Sequence, residues 1–224
     1  MEQRSIALDG PAGAGKSTLA RMVAKHFGLI YVDTGALYRC VGLFTLRNNV
    51  GPKDEAGVAR LLPEIKIEMK YDDTGVQRMI LNGDDVTDDI RLHEVSGYAS
   101  DVSAMPPVRD FLLSMQREMA VRYDVIMDGR DIGTVVLPDA GLKVFLTASP
   151  ETRAKRRFLE LKEKNMSVKL EDVERDMRIR DKNDSERAVA PLKAAEGSVL
   201  LDTTELNLTE SFNALCELIT GRAL

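Results

Sequence analysis

The chain has 224 residues, 44% of them hydrophobic and 30% charged, with a formal charge of −5. That length and composition fit one folded α/β domain with room for a small insertion, and exclude a disordered chain or two large independent domains. The acidic balance argues against a non-specific nucleic-acid coat, which needs surplus Lys and Arg. Cys40 and Cys216 stand far apart in no metal or redox spacing, so they are read as core thiols rather than a disulfide or zinc framework.

The first apolar run, Ile6 to Leu8, predicts a strand from Ser5 to Asp9. No basic-then-apolar leader precedes it, and no apolar run approaches membrane-spanning length, so a cytoplasmic protein without membrane contact is expected. A helix opens near Lys16, with Leu19, Met22, Val23 and Phe27 on one face. Leu29 to Val32 predicts the second strand. Then the rhythm changes: Ile65, Ile67, Met69 and Tyr71 alternate with polar residues, Asp73 to Gly75 offer a turn, and Val76 to Leu81 return. This pattern predicts an antiparallel hairpin, with Asn82 and Gly83 turning again toward Val86.

Val125 to Met127, Val144 to Leu146 and Val199 to Leu201 complete the run of short apolar segments. Ser149 and Pro150 read as the N-cap and first residue of a helix. Phe212, Leu215, Cys216 and Ile219 give a last amphipathic helix. Strands alternating with helices predict a five-stranded parallel sheet flanked by helices, interrupted by a small antiparallel β insert.

Gly10, Pro11, Ala12, Gly13, Ala14, Gly15, Lys16 and Ser17 match the phosphate-binding P-loop, placed between a strand and a helix as its mechanism requires. Glycines let backbone N–H groups close around phosphate oxygens, and the following helix adds its positive end. Lys16 would bridge the β and γ phosphates of ATP, and Ser17 would offer a hydroxyl to Mg²⁺. The loop alone does not say which reaction follows.

A GTPase needs an Asn-Lys-x-Asp guanine reader, and Lys182, Asn183 and Asp184 do not match it. A kinase joining two nucleotides needs several arginines and a cover that excludes water. The stretch from Arg153 to Arg187 holds seven of the 19 arginines and carries a net +3 on an acidic chain, which suggests a dedicated anion site. Arg180, Asp184 and Arg187 would share one helix face if the helix continues that far. An ordinary surface ion pair between Arg180 and Asp184 is the alternative.

Four motifs, GPAGAGKST, DTGALYR at Asp33 to Arg39, DGRDIGTVV at Asp128 to Val136 and IRDKNDSERAVAPL at Ile179 to Leu192, together resemble the bacterial-type cytidylate kinase family. The resemblance runs over most of the chain in the family's order. It implies a P-loop, adenylate-kinase-like fold, with a core of residues 1–39, 104–149 and 188–224, an acceptor-binding insert of about 40–103 and a helical lid of about 150–187. It implies that ATP, held by Gly10 through Thr18, phosphorylates CMP or dCMP. Thr34, Tyr38 and Arg39 would lie beside the acceptor, with Arg39, Arg130 and Arg187 on its phosphate. Ser100, Arg109 and Asp131 would read cytosine, and Arg180 with Asp184 would hold the ribose. Catalysis would fall to Lys16, Arg130, Arg180 and Arg187, in a monomer acting on free nucleotides. Asp128 is open between a Mg²⁺-directed carboxylate and a turn aspartate. A related small P-loop kinase for UMP, AMP or an alcohol, and a nucleotide-binding regulator without chemistry, are the rival readings.

Overall fold

The computed structural model describes residues 4–73, 76–163 and 166–221. The chain gathers into two compact units, one formed by Met1–Val32 with Met119–Leu224, the other by Asp33–Glu118.

In the first unit the apolar runs form a parallel sheet of β1 (Ser5–Asp9), β2 (Ile30–Asp33), β6 (Val125–Gly129), β7 (Leu142–Thr147) and β8 (Val199–Asp202). Their order is β2-β6-β1-β7-β8. The central strands are buried on both faces, which is why Ile6–Leu8 and Val125–Met127 read as continuous apolar runs rather than alternation. The edge strand β8 alternates half-buried and exposed residues.

Helix α1 (Lys16–Phe27) buries Leu19 and Val23 against Ile6, Leu8 and Ile126. Helix α8 (Leu208–Thr220) adds Leu215 and Ile219 to the same core. It starts with a full capping box, in which the Asn207 side chain accepts from Glu210 N and the Glu210 carboxylate accepts from Asn207 N. Helix α6 (Pro150–Glu163) opens as the sequence predicts, with Ser149 Oγ accepting from Thr152 N. It lies against α7 (Leu170–Glu186) through Ala154, Val173 and Met177.

The second unit has its own apolar core. Helices α2 (Thr34–Arg47), α3 (Glu55–Leu61), α4 (His93–Val102) and α5, which runs from Pro106 to Arg122, supply most of it. The antiparallel sheet of β3 (Ile67–Tyr71), β4 (Gln77–Leu81) and β5 (Asp84–Asp85) closes the rest. Asn82 and Gly83 both take positive φ, 51° and 95°, at the second turn, as an Asn-Gly hairpin requires. Of the first predicted turn, Thr74 and Gly75 lie outside the described residues.

Leu112 on α5 is fully buried in this core. Leu112→Ala is expected to lower unfolding stability by about 2–5 kcal/mol, read from the midpoint of urea denaturation followed by circular dichroism.

Candidate active site

The P-loop follows β1 directly. Gly10 has φ of 150°, and a Cβ there would overlap the Leu146 carbonyl of β7. At the loop's tip, a Cβ on Gly13 would stand 2.7 Å from Met177 Cε of α7 and 3.2 Å from the Arg153 carbonyl. The loop can lie this close to its neighbours only where those side chains are missing. Gly15 takes a left-handed conformation before α1 and supplies no side-chain cap to its first-turn N–H groups.

Lys16 is buried, and its Nζ donates to Pro11 O at 2.8 Å. Burial and the nearby Arg130 charge push its pKa well below 10.5, with Asp128 opposing them. Ser17 Oγ donates to Asp128 Oδ2 at 2.6 Å, while Tyr31 Oη donates to Oδ1 at 3.2 Å. Asp128 is therefore a buried strand carboxylate locked onto the P-loop serine, rather than a turn residue. Ala12 offers its carbonyl to Arg153 Nη1 at 2.9 Å, and Ala14 is buried where Thr18 is exposed.

Past β6 the same unit brings the third and fourth motifs together. Arg130 Nε donates to Asp184 Oδ2 of α7 at 2.7 Å, and Arg187 Nη2 donates to Asp131 Oδ1 at 3.2 Å. Burial disfavours the Asp184 carboxylate, but the Arg130, Arg180 and Arg187 charges outweigh it and hold its pKa below 3.8. Arg180 also acts on Lys16, so the lysine and the α7 arginine share one electrostatic neighbourhood.

The expected common helix face for Arg180, Asp184 and Arg187 needs correction. Helix α7 ends at Glu186, and Arg187 turns into extended backbone with φ −60° and ψ 141°. From there its Nε donates to Ala190 O at 2.7 Å, which aims the guanidinium at Asp131. Asp184 finds its partner in Arg130, just past the carboxyl end of β6, so a simple surface pair on α7 does not describe it.

The second unit holds Thr34, Tyr38, Arg39, Ser100 and Arg109. Thr34 is the buried first residue of α2, with Tyr38 and Arg39 one turn on. Arg109 on α5 is buried, donates from Nη1 to Ser103 O at 3.1 Å, and lies over the Tyr38 ring at 5.7 Å from its centroid. Ser100 stands half-buried in the last turn of α4, its carbonyl accepting from Ser103 Oγ. Arg109 and Ser100 are thus tied to the same Ser100–Ser103 turn.

Sequence reasoning did not single out four charged residues that organise these groups. Asp33 caps α2 by accepting from Ala36 N at 3.0 Å and takes Arg91 Nη2 at 2.7 Å. Burial opposes its ionisation, yet Arg91 and Arg39 keep the Asp33 carboxyl below its usual range. Arg153 ties Ala148 O, Ala12 O and the Asp181 carboxylate together. Asp9 accepts two backbone N–H groups at the end of β1. The one signal for Asp9 is a carboxylate ending a wholly apolar strand, while Arg91 and Arg153 sit in polar stretches that look like solvated surface.

For a metal, Ser17 and Asp128 offer a hydroxyl and a carboxylate, hard oxygen donors of the kind Mg²⁺ takes alongside phosphates and water. Among the described residues no group of three or more His, Cys, Asp or Glu forms a metal cage.

A parallel sheet with a P-loop at the carboxyl end of its central strand, and a ring of arginines beside it, defines a P-loop phosphotransferase. A family profile described as cytidylate kinase matches residues 6–221. A cytidylate kinase of Caldicellulosiruptor bescii is 50% identical over 218 residues, covering 97% of this chain and 96% of that protein. A cytidylate kinase of Lactobacillus johnsonii is 48% identical, covering 96% and 93%. The chain belongs to the cytidylate kinase family. In fold it is similar to an uncharacterized protein from Eubacterium ventriosum, at 12% identity and a TM-score of 0.55 over 98% of this chain and all of that one.

The sign of the Asp184 shift gives a stability test. Its carboxylate stabilises the fold above the unfolded value of 3.8, and that contribution is lost as pH falls through the lower folded value. Asp184→Asn, which strands Arg130, is expected to cost about 3 kcal/mol at pH 7. Urea denaturation at pH 7 and at pH 3 should show the gap between the two proteins narrowing in acid.

Proposed function

We propose that the chain transfers the γ-phosphoryl group of ATP to CMP or dCMP, giving ADP with CDP or dCDP, and that its two units divide the work. The observation that carries this reading is the gathering of Lys16, Arg130, Arg180 and Arg187 around the buried carboxylates Asp128, Asp131 and Asp184 in the first unit. So many fixed cations suit two phosphate chains brought end to end.

The wrapped loop from Gly10 to Thr18 binds the ATP phosphates through its backbone, and Lys16 leaves Pro11 O to bridge the β and γ groups. Ser17 and Asp128 hold Mg²⁺ when it is bound, and the ion spreads the charge of those phosphates. Arg130 and Arg187, with Arg39 from the second unit, take the acceptor phosphate. An acceptor phosphate oxygen is already anionic near neutral pH, so no general base is needed. Catalysis is in-line attack favoured by positioning and charge.

Arg180 and Asp184 hold the ribose. Asp131 accepts from the cytosine amino group, while Arg109 and Ser100 donate to its acceptors, with Tyr38 and Thr34 alongside. Uracil would set a carbonyl against the Asp131 carboxylate, which disfavours UMP. Residues 150–187 serve as a lid over the donor, residues 40–103 as the acceptor insert, and the remainder as the core. Two unbridged thiols support work in a reducing cytoplasm, and we take the working form as a monomer on free nucleotides.

A panel of CMP, dCMP, UMP and AMP with MgATP, read by ADP release, tests the reading. CMP and dCMP should be preferred, and absence of CMP-dependent ADP formation would overturn it. Arg187→Gln should lower kcat by about a hundredfold, and unchanged turnover would remove Arg187 from the phosphate clamp.

A further inference from the structure

We propose that Asp9 is a positioning residue for base recognition: by binding the backbone N–H groups of Ile132 and Gly133, it fixes the turn that aims Asp131 at the acceptor base. The proposal rests on the reading of Asp131 given above.

Asp9 is 2% exposed at the carboxyl end of β1, paired in register with Gly129 on one side and Phe145 on the other. Beyond Gly129 the chain leaves the sheet through Arg130 and Asp131, then enters a short π-helical turn, Ile132–Val136. The first N–H groups of such a turn have no acceptor within it. Asp9 supplies one to each of two, Oδ1 to Ile132 N and Oδ2 to Gly133 N, both at 2.7 Å. These are charge-assisted lengths. A Cβ on Gly133 would stand 3.3 Å from Asp9 Oδ2 and 3.1 Å from Ala195 Cβ, so the turn is seated closely against the carboxylate.

The turn then bonds back to Asp131 itself, as Val135 N donates to Asp131 O at 2.9 Å. Asp131 is held twice, its backbone by a turn anchored on Asp9 and its side chain by Arg187. Neither hold involves substrate contact by Asp9. Without the anchor, the Asp131 carboxylate keeps its charge but loses its aim.

The charged groups acting on Asp9 are Lys16 from α1 and Asp131 from the turn, while the stem of Lys143 of β7 lies across Gly133 and its ammonium donates to Pro138 O. Burial raises the Asp9 carboxyl to about 6, the two N–H bonds oppose that rise, Asp131 adds to it and Lys16 offsets it. A protonated carboxyl has one oxygen turned into an O–H donor and no longer offers a charge-assisted acceptor to each N–H group. An amide at this position has the same defect at every pH.

The measurement is the ratio of kcat/KM for CMP to that for UMP between pH 5 and 8. Both acceptors carry the same phosphate titration, so it cancels and the ratio reports base recognition. In the parent protein the ratio should fall on acidification through about 6. Asp9→Asn should lower it about tenfold, the scale of one hydrogen bond to a charged group, and leave it flat with pH. Asp131→Asn is the control arm. If it collapses the ratio while Asp9→Asn keeps the parent's value, the positioning role is overturned. A parent ratio that stays flat through pH 6 overturns it too, without requiring any variant to fold. If Asp131→Asn leaves the ratio unchanged, the base-reading role of Asp131 falls, and the inference with it.

Discussion

Like charges do not gather in a protein interior unless something between them makes the gathering tolerable. Here Lys16, Arg130, Arg180 and Arg187 are interleaved with Asp128, Asp131 and Asp184 at the carboxyl ends of β1 and β6 and the end of α7. Each carboxylate has a named partner, Ser17 for Asp128, Arg130 for Asp184 and Arg187 for Asp131. The arrangement is an ion lattice with replaceable members. In the proposed scheme a phosphate entering it takes over the cations, which the protein's own anions hold together beforehand.

The second unit solves a smaller version of the same problem. Asp33 caps α2 and binds Arg91, and the Arg39 charge acts on it as well. One buried carboxylate thus orders the first turns of the helix that carries Thr34, Tyr38 and Arg39. Across this unit Arg109 is steadied by the face of Tyr38 and by the Ser103 carbonyl. In the proposed scheme Asp33, Arg91 and Ser103 touch no substrate, yet they fix residues assigned to phosphate and to base.

Much of this was legible beforehand, for physical reasons. A parallel strand buried on both faces must be apolar throughout, so β1 and β6 announced themselves, and a wrapped phosphate loop can be built from few residue types. The antiparallel insert showed its alternation and its Asn-Gly turn. The end of α7 was not legible. Pro191 bars a helix running on through it but does not set the end at Glu186, where Arg187 leaves the helix and gains Ala190 O and Asp131. Asp9, Arg91 and Arg153 were hidden for a related reason. Their partners lie 123, 58 and 141 residues away, for Ile132, Asp33 and Ala12 respectively, and local pattern carries no trace of such pairings.

The buried carboxylates also differ in what ionisation does to the fold. Asp33 and Asp184 are held below the ordinary 3.8 by arginines, so their charge favours the folded chain wherever they are ionised in the unfolded one. Asp9 runs the other way. With its folded value near 6 against 3.8, the fold binds a proton that the unfolded chain does not, and stability from this group falls as pH rises through that window. Two short N–H bonds only partly offset the burial. A charge that weakens the fold near neutrality makes little sense as a structural brace alone. It makes sense at a place where the backbone of Arg130 and Asp131 must be held rigid and where a neutral side chain offers no charge-assisted acceptor to each of the two N–H groups.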